Sequence, residues 1–324
     1  MLAGLFVLLL LAGFLYENIG EARDRRFNPM PGQRVDVGGY KLHLDCVGQG
    51  VPAVVFDSGL GDSYAAWRKV QPAVARATQA CSYDRGGIGF SDSSSRPRDS
   101  RIFAEELHTL LHNAGVAGPY VFVGHSMAGF DIRIFTSLYR NEVAGMVLVD
   151  SSHPEQVKRF PQIMRDIDNE WTRQLEFMEF TTPVGIPRLL GFCGSDIYVR
   201  AAECNFSTMR EKVAENKNFE ESAAEAAATG PFGDLPLIVL THDPSVAPRE
   251  LPPDVAAETE KAWSLMQQEL THLSTRSTQV IAKNSGHYIQ LQRPDLVIQA
   301  ISSVLQEVGK RQDADSRSPS LIVK

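Results

Sequence analysis

A serine lies at the centre of residues 121–129, which read Val-Phe-Val-Gly-His-Ser-Met-Ala-Gly. The apolar residues before the serine are typical of a strand, and the spaced apolar residues after it predict a helix. A Gly-x-Ser-x-Ala-Gly turn between a strand and a helix is typical of a nucleophile elbow, in which a strained turn exposes the serine hydroxyl. Ser126 is therefore a candidate nucleophile.

A serine hydroxyl is a poor nucleophile until a base removes its proton, and that base needs a carboxylate to hold it in place. His287, in a Ser-Gly-His loop near the end of the chain, is the candidate base. His125, next to the serine, is expected to pack or to face substrate. We expect His153, His242 and His272 to be structural or solvent-facing, because no motif surrounds them.

The segments that must position these groups alternate between strand and helix. Continuous apolar runs predict strands at 51–56, 80–83, 121–125, 145–149, 235–240 and 279–282, after a hairpin at 34–46, and helical spacing predicts helices at 67–78, 102–114, 254–273 and 295–308. This alternation predicts a mostly parallel sheet, whose ligand sites lie beyond the carboxyl ends of its strands. Asp150 and Asp243 both follow such strands.

The domain boundaries follow from where this alternation stops. We predict a core in two parts, 27–154 and 231–310, an inserted helical cap at 155–230 and a disordered tail at 311–324. Residues 1–26 begin with a long apolar run and end in a basic flank, as in a membrane anchor or a signal peptide. We favour an uncleaved anchor, because no basic residue precedes the run.

Two features of the sequence give opposite predictions for the side of the membrane on which the catalytic domain lies. The arginines at 23, 25 and 26 favour a cytoplasmic catalytic domain. The four cysteines can be grouped as Cys46 with Cys81 and Cys193 with Cys204, which favours an oxidising compartment, although four reduced thiols are the alternative. A signal peptide would make the protein secreted or periplasmic.

Several motifs in the right order resemble the α/β-hydrolase fold. They are the loop Ser58-Gly59-Leu60-Gly61, the loop Tyr83-Asp84-Arg85-Gly86, the elbow around Ser126 and the loop Ser285-Gly286-His287. The resemblance covers residues 34–308 and implies an eight-stranded, mostly parallel sheet flanked by helices. Members that are dehalogenases or epoxide hydrolases use an aspartate nucleophile, so Ser126 argues against both activities.

The resemblance also implies roles for single residues. His287 occupies the position of the family's catalytic histidine, and the acid is either Asp150 or Asp243; we favour Asp150, because it ends an uninterrupted apolar run. The backbone N–H groups of Leu60 and Met127 would form the oxyanion hole. Gly59 and His125 would contact substrate. Asp84 and Arg85 are expected to brace loops through a buried ion pair.

The expected activity is hydrolysis of a small carboxylic ester through an acyl-enzyme. Amide hydrolysis, carbon–carbon bond cleavage and perhydrolysis use the same triad and stay open, as does a non-catalytic, membrane-tethered binding protein. A net charge of −7 with no basic stripe argues against a nucleic-acid partner. The sequence has no metal-binding or nucleotide-binding motif, so we expect no metal and no cofactor.

Overall fold

The computed structural model describes residues 2–246 and 251–317. Its centre is one eight-stranded sheet in the order β1-β2-β4-β3-β5-β6-β7-β8. The strands are β1 (Gln33–Asp36), β2 (Lys41–Val47), β3 (Ala53–Asp57), β4 (Ala80–Tyr83), β5 (Tyr120–His125), β6 (Val143–Val149), β7 (Leu237–His242) and β8 (Ser277–Ala282). Pairing is antiparallel between β1, β2 and β4 and parallel from β4 onward, as the predicted fold class requires.

Helices cover both faces of the sheet. They are α1 (Leu2–Phe27), α2 (Gln71–Val74), α3 (Ser100–Asn113), α4 (Ala128–Leu138), α5 (Gln156–Arg159), α6 (Gln162–Thr181), α7 (Ile186–Leu189), α8 (Ile197–Glu203), α9 (Phe206–Lys217), α10 (Phe219–Ala227), α11 (Pro253–Leu270), α12 (Ile289–Gln292) and α13 (Pro294–Arg317). Between β6 and β7, helices α5–α10 form the cap that the sequence predicts as an insertion.

The alternation of side chains along each strand divides the core into two layers. Phe122 of β5 packs with the residues of α3 and α4, whereas its neighbours Val121 and Val123 pack with those of α2 and α13. A strand buried on both faces must be apolar at every position. This is why the central strands are continuous apolar runs in the sequence.

Two predicted boundaries differ from the structure. The predicted helix 67–78 is instead a 3-10 turn at Tyr64–Trp67 followed by the short helix α2. The tail predicted to be disordered from residue 311 begins as helix, because α13 continues to Arg317, and Arg311 donates to the backbone oxygen of Asp234 at 2.8 Å. Residues 318–324 lie outside the described residues.

The cysteines form the two predicted pairs. Cys46 and Cys81 face each other across the β2–β4 pairing, and Cys193 is joined to Cys204 within the cap. Among the described helices, α1 is long and apolar enough to cross a membrane, with a mean hydropathy of 2.0. Length and composition support a membrane anchor and a signal sequence equally.

Candidate active site

Ser126 lies on a sharp turn between β5 and α4. Its φ is 53°, a left-handed conformation that a residue with a side chain adopts only under constraint. Gly124 permits this turn, since a Cβ there would lie 2.8 Å from Ile132 Cδ1 and 3.0 Å from the Ala128 oxygen. The local geometry is that of the elbow predicted from the sequence.

His287 and Asp150 meet beside this turn. The Nδ1 atom of His287 lies 2.7 Å from Oδ2 of Asp150, and the carboxylate is fully buried. Ser126, Asp150 and His287 line the same cavity. Within residues 2–246 and 251–317, no hydrogen bond joins the Ser126 hydroxyl to His287. Such contacts often tighten only when substrate binds.

Asp243, the alternative acid, does not contact His287 within the described part of the chain. Its carboxylate accepts from the backbone N–H of Asn284 at 2.9 Å and from that of Ser245 at 3.0 Å. These hydrogen bonds lower the pKa of Asp243 to about 2. Asp243 therefore braces the loop that leads to His287, while Asp150 occupies the position next to the imidazole.

A second imidazole contacts Asp150, and sequence reasoning missed it. His242 Nδ1 lies 2.9 Å from both oxygens of Asp150, its Nε2 lies 2.8 Å from Glu260, and Trp263 donates its indole N–H to Asp150 at 3.0 Å. The prediction that His242 is merely structural or solvent-facing overlooked this position beside the acid. The sequence pattern could have indicated this contact. Strands β6 and β7 are parallel neighbours, and Asp150 and His242 lie at their carboxyl ends.

Burial and hydrogen bonding act in opposite directions on the pKa values of Asp150 and His242. Burial would raise the pKa of Asp150, but hydrogen bonds from His242 and His287 keep it below its ordinary value. Burial would likewise lower the pKa of His242, but its hydrogen bonds to Asp150 and Glu260 raise it to about 10. Asp150 is thus an anion and His242 a cation at neutral pH.

The two backbone groups predicted to form an oxyanion hole are Leu60 N–H and Met127 N–H. Met127 is the N-cap residue of the elbow helix α4, and the first N–H groups of a helix have no partner within it. In the described part of the chain, neither N–H donates to a protein acceptor. The oxyanion-hole role of the two groups stays a prediction.

A buried ion pair supports the loop that carries Leu60. Arg85 pairs with Glu215 of the cap helix α9 through Nε at 2.7 Å and Nη2 at 2.9 Å, and it donates to the Gly59 oxygen at 2.6 Å. Glu215 also accepts from the Gly61 N–H at 2.6 Å. The expectation that Arg85 braces a loop is met with this cap residue as partner, whereas Asp84 pairs with His43 at 2.7 Å.

Gly59 and His125, the predicted substrate-side residues, pack against each other next to Ser126. A Cβ on Gly59 would lie 2.9 Å from His125 Nδ1 and 3.2 Å from Ser126 Cβ, so only glycine lets this loop approach the elbow so closely. His125 is buried, and its Nε2 lies 3.1 Å from the His287 backbone oxygen. Burial, together with the nearby His287, lowers the pKa of His125 to about 3, so it remains neutral.

The cavity in front of Ser126 has a volume of about 790 Å³. Its floor comes from the core loops and its roof from the cap and α11. The cap and α11 contribute both apolar and polar side chains, including Phe160, Met164, Asp168, Trp171, Asn216, Phe219 and Trp263. A site of this size suits a small organic molecule.

One separate group could offer ligands to a metal. His153, Glu155 and Glu269 each place one ligand atom within 4.8 Å of the others. Arg159 already pairs with Glu155 at 3.0 Å and with Glu269 at 2.8 Å, which neutralises both carboxylates. The group is therefore accounted for as a salt-bridge network.

Comparison with known proteins agrees with this fold. A sequence model of the alpha/beta hydrolase fold matches residues 52–294. An uncharacterized protein of Bacillus subtilis is 26% identical over 254 residues, covering 78% of this chain and 82% of that protein. An uncharacterized protein of Schizosaccharomyces pombe is 28% identical over 246 residues, which are 73% of this chain but only 43% of that protein.

The structural neighbours have the same architecture. A thermophilic esterase from Thermogutta terrifontis superposes with a TM-score of 0.59 at 21% identity, over 86% of this chain and 99% of that one. At this identity the likeness concerns the fold alone. Since the family match spans most of the sequence, the chain belongs to the alpha/beta hydrolase fold family.

Proposed function

We propose that this protein is a serine hydrolase that cleaves carboxylic esters through an acyl-enzyme, with Ser126, His287 and Asp150 as its triad. The observation that carries the proposal is the 2.7 Å contact between His287 Nδ1 and the buried Asp150, in the cavity that also exposes Ser126. A carboxylate on Nδ1 leaves Nε2 free to accept a proton.

In the proposed reaction, the Ser126 hydroxyl oxygen attacks the ester carbonyl carbon while His287 Nε2 takes its proton. Asp150 stabilises the imidazolium cation that forms. The carbonyl oxygen becomes negatively charged and accepts from the N–H groups of Leu60 and Met127. His287 then returns the proton to the leaving alcohol, and water, activated by the same imidazole, hydrolyses the acyl-serine.

The test uses the full chain and a fluorophosphonate probe, which reacts with activated serines. The wild-type protein should be labelled and should hydrolyse p-nitrophenyl esters, whereas Ser126→Ala should do neither. Ser152→Ala is the matched control, because Ser152 lines the same cavity and should leave labelling intact. A folded wild-type protein that the probe does not label would refute the proposal.

A second pair of variants tests the acid. Asp150→Asn should lower kcat by about 10⁴, because an amide can no longer accept the imidazole N–H. Asp243→Asn should lower kcat far less, since the Asp243 carboxylate accepts from the backbone of Ser245 and Asn284 rather than from His287. Equal losses in the two variants would contradict the assignment of Asp150.

A further inference from the structure

The N-terminal helix α1 does not stand free of the catalytic domain, because one of its faces is built into the cap. A Cβ on Gly13 would lie 2.5 Å from the Val184 oxygen, and one on Gly20 would lie 2.6 Å from Arg188 Nε. Such close approach requires a helix surface without side chains. Gly13 and Gly20 are two turns apart and therefore share a face.

The same face carries two buried acids that the cap neutralises. Glu17 pairs with Arg188 at 3.0 Å, and Asp24 pairs with Arg188 at 2.5 Å and with Arg200 at 2.9 Å. Glu17 and Asp24 are almost fully buried. Removing one partner of a buried pair is strongly destabilising, so this cluster of two acids and two arginines fixes α1 to the cap.

The part of the cap that holds α1 is bordered by exposed apolar side chains. We name them the apolar collar, and between 53% and 84% of each is exposed: Phe177, Phe180, Leu189, Leu190 and Phe192. They flank residues 182–188, the segment that contacts α1, and the disulfide at Cys193 joins the end of this segment to the end of α8. Large apolar patches on a soluble surface mark contact sites.

The length of α1 fixes where the collar would lie if the helix inserted into a bilayer. Its apolar side chains stay exposed from Leu2 to Ile19. The residues before Gly13 extend only about 17 Å at 1.5 Å per residue, less than the roughly 30 Å of a hydrocarbon core. To immerse its exposed apolar side chains down to Ile19, the helix must therefore bring the Val184 contact about 9 Å deeper than Ile19. The collar around that contact then enters the membrane.

We propose that the apolar collar docks into the lipid bilayer beside the inserted helix α1, so that the cap rests on the membrane as part of its anchor. Exposed aromatic and leucine side chains are those that interfacial elements bury at the boundary between headgroups and acyl chains. The neutralised acids of α1 allow this, because the junction buries no uncompensated charge.

This docking also concerns the substrate, and here it rests on the proposed function. Helix α6 contains both the cavity residue Trp171 and the collar residues Phe177 and Phe180. The cavity roof and the membrane surface would then lie about 14 Å apart along one helix. We infer that the substrates are amphipathic esters that partition into the bilayer.

Lipid contact is tested without any need for catalysis. The full chain is reconstituted into vesicles of phosphatidylcholine and phosphatidylglycerol that carry bromine on the upper acyl chain, a quencher of tryptophan. Phe180→Trp and Phe192→Trp place probes in the collar, and the signal of the parent chain is subtracted. Val51→Trp is the matched control, an exposed apolar position just before the amino-terminal end of the central strand β3, whereas the active site lies at the carboxyl ends of the strands.

Flotation with the vesicles first verifies that each variant is bound. The added emission at positions 180 and 192 should fall by about half or more in brominated vesicles, as expected for side chains inserted below the headgroups. The emission at position 51 should not change. Equal quenching at all three positions, or failure of the parent chain to float, would overturn the proposal. Loss of esterase activity alone would bear only on the proposed function.

Discussion

The buried ion pair between Arg85 and Glu215 offers a sharp test of how the cap is joined to the core. Glu215 is fully buried and accepts two hydrogen bonds from Arg85 and one from Gly61 N–H. Breaking a buried pair costs about 3 to 5 kcal/mol, because the remaining charge stays desolvated. Arg85 retains Asp57 at 3.0 Å and the Gly59 carbonyl. We therefore expect Glu215→Gln to lower the free energy of unfolding by about 3 kcal/mol, the lower end of that range.

The measurement is urea unfolding in detergent micelles, followed by tryptophan fluorescence, with a matched exposed pair as control. Glu105 pairs with Arg96 at 2.5 Å, but both side chains are more than a third exposed. Glu105→Gln should cost less than about 1 kcal/mol. If Glu215→Gln costs no more than Glu105→Gln, the pair is effectively solvated, and our account of the loop's support is wrong.

Two further predictions concern the site itself. Gly59→Ala should lower kcat/KM roughly ten- to hundredfold, because the new Cβ would press on His125 and Ser126; Gly309→Ala, where a Cβ meets open space, is the control, and unchanged kinetics of Gly59→Ala would contradict the close approach. His242 has a pKa raised to about 10, so the stability it contributes is fully present below its ordinary pKa of 6.5 and is lost as the pH rises through about 10. The difference in unfolding free energy between the wild type and His242→Asn should therefore decrease as the pH rises from 6.5 to about 10. A difference that stays constant over this range would show that His242 is not held as a cation.

Much of this architecture follows from the sequence because parallel strands leave an unmistakable pattern. A strand buried on both faces must be apolar throughout, and the polar loops that follow must gather at one edge of the sheet. The elbow motif and the resemblance to the family predict Ser126, Asp150 and His287 at that edge, and the structure brings them to one cavity. Their chemical roles remain predictions.

The sequence does not show which of several similar side chains contacts a given partner in the folded protein. Asp150 and Asp243 both follow strands, and the structure distinguishes them by the contact of Asp150 with His287. Trp263 and His242 also pack around Asp150. The same limit applies to Glu215, which lies in a charged helix whose sequence gives no sign that one carboxylate is fully buried. An ion pair between the core and the inserted cap leaves no periodic pattern in the sequence from which it could be predicted.

The cap therefore contacts the core loop that carries Leu60 as well as covering the cavity. Its helix α9 carries Glu215, which holds the Gly61 N–H, and Lys212, whose side chain lies where a Cβ of Gly61 would be. The cap also receives α1 through Arg188. Because interiors are close-packed and transmit displacement, a change in the cap should alter the rigidity of the loop that carries Leu60 as well as the shape of the pocket. Under the proposed mechanism, substrate choice and transition-state stabilisation would then depend on the same element.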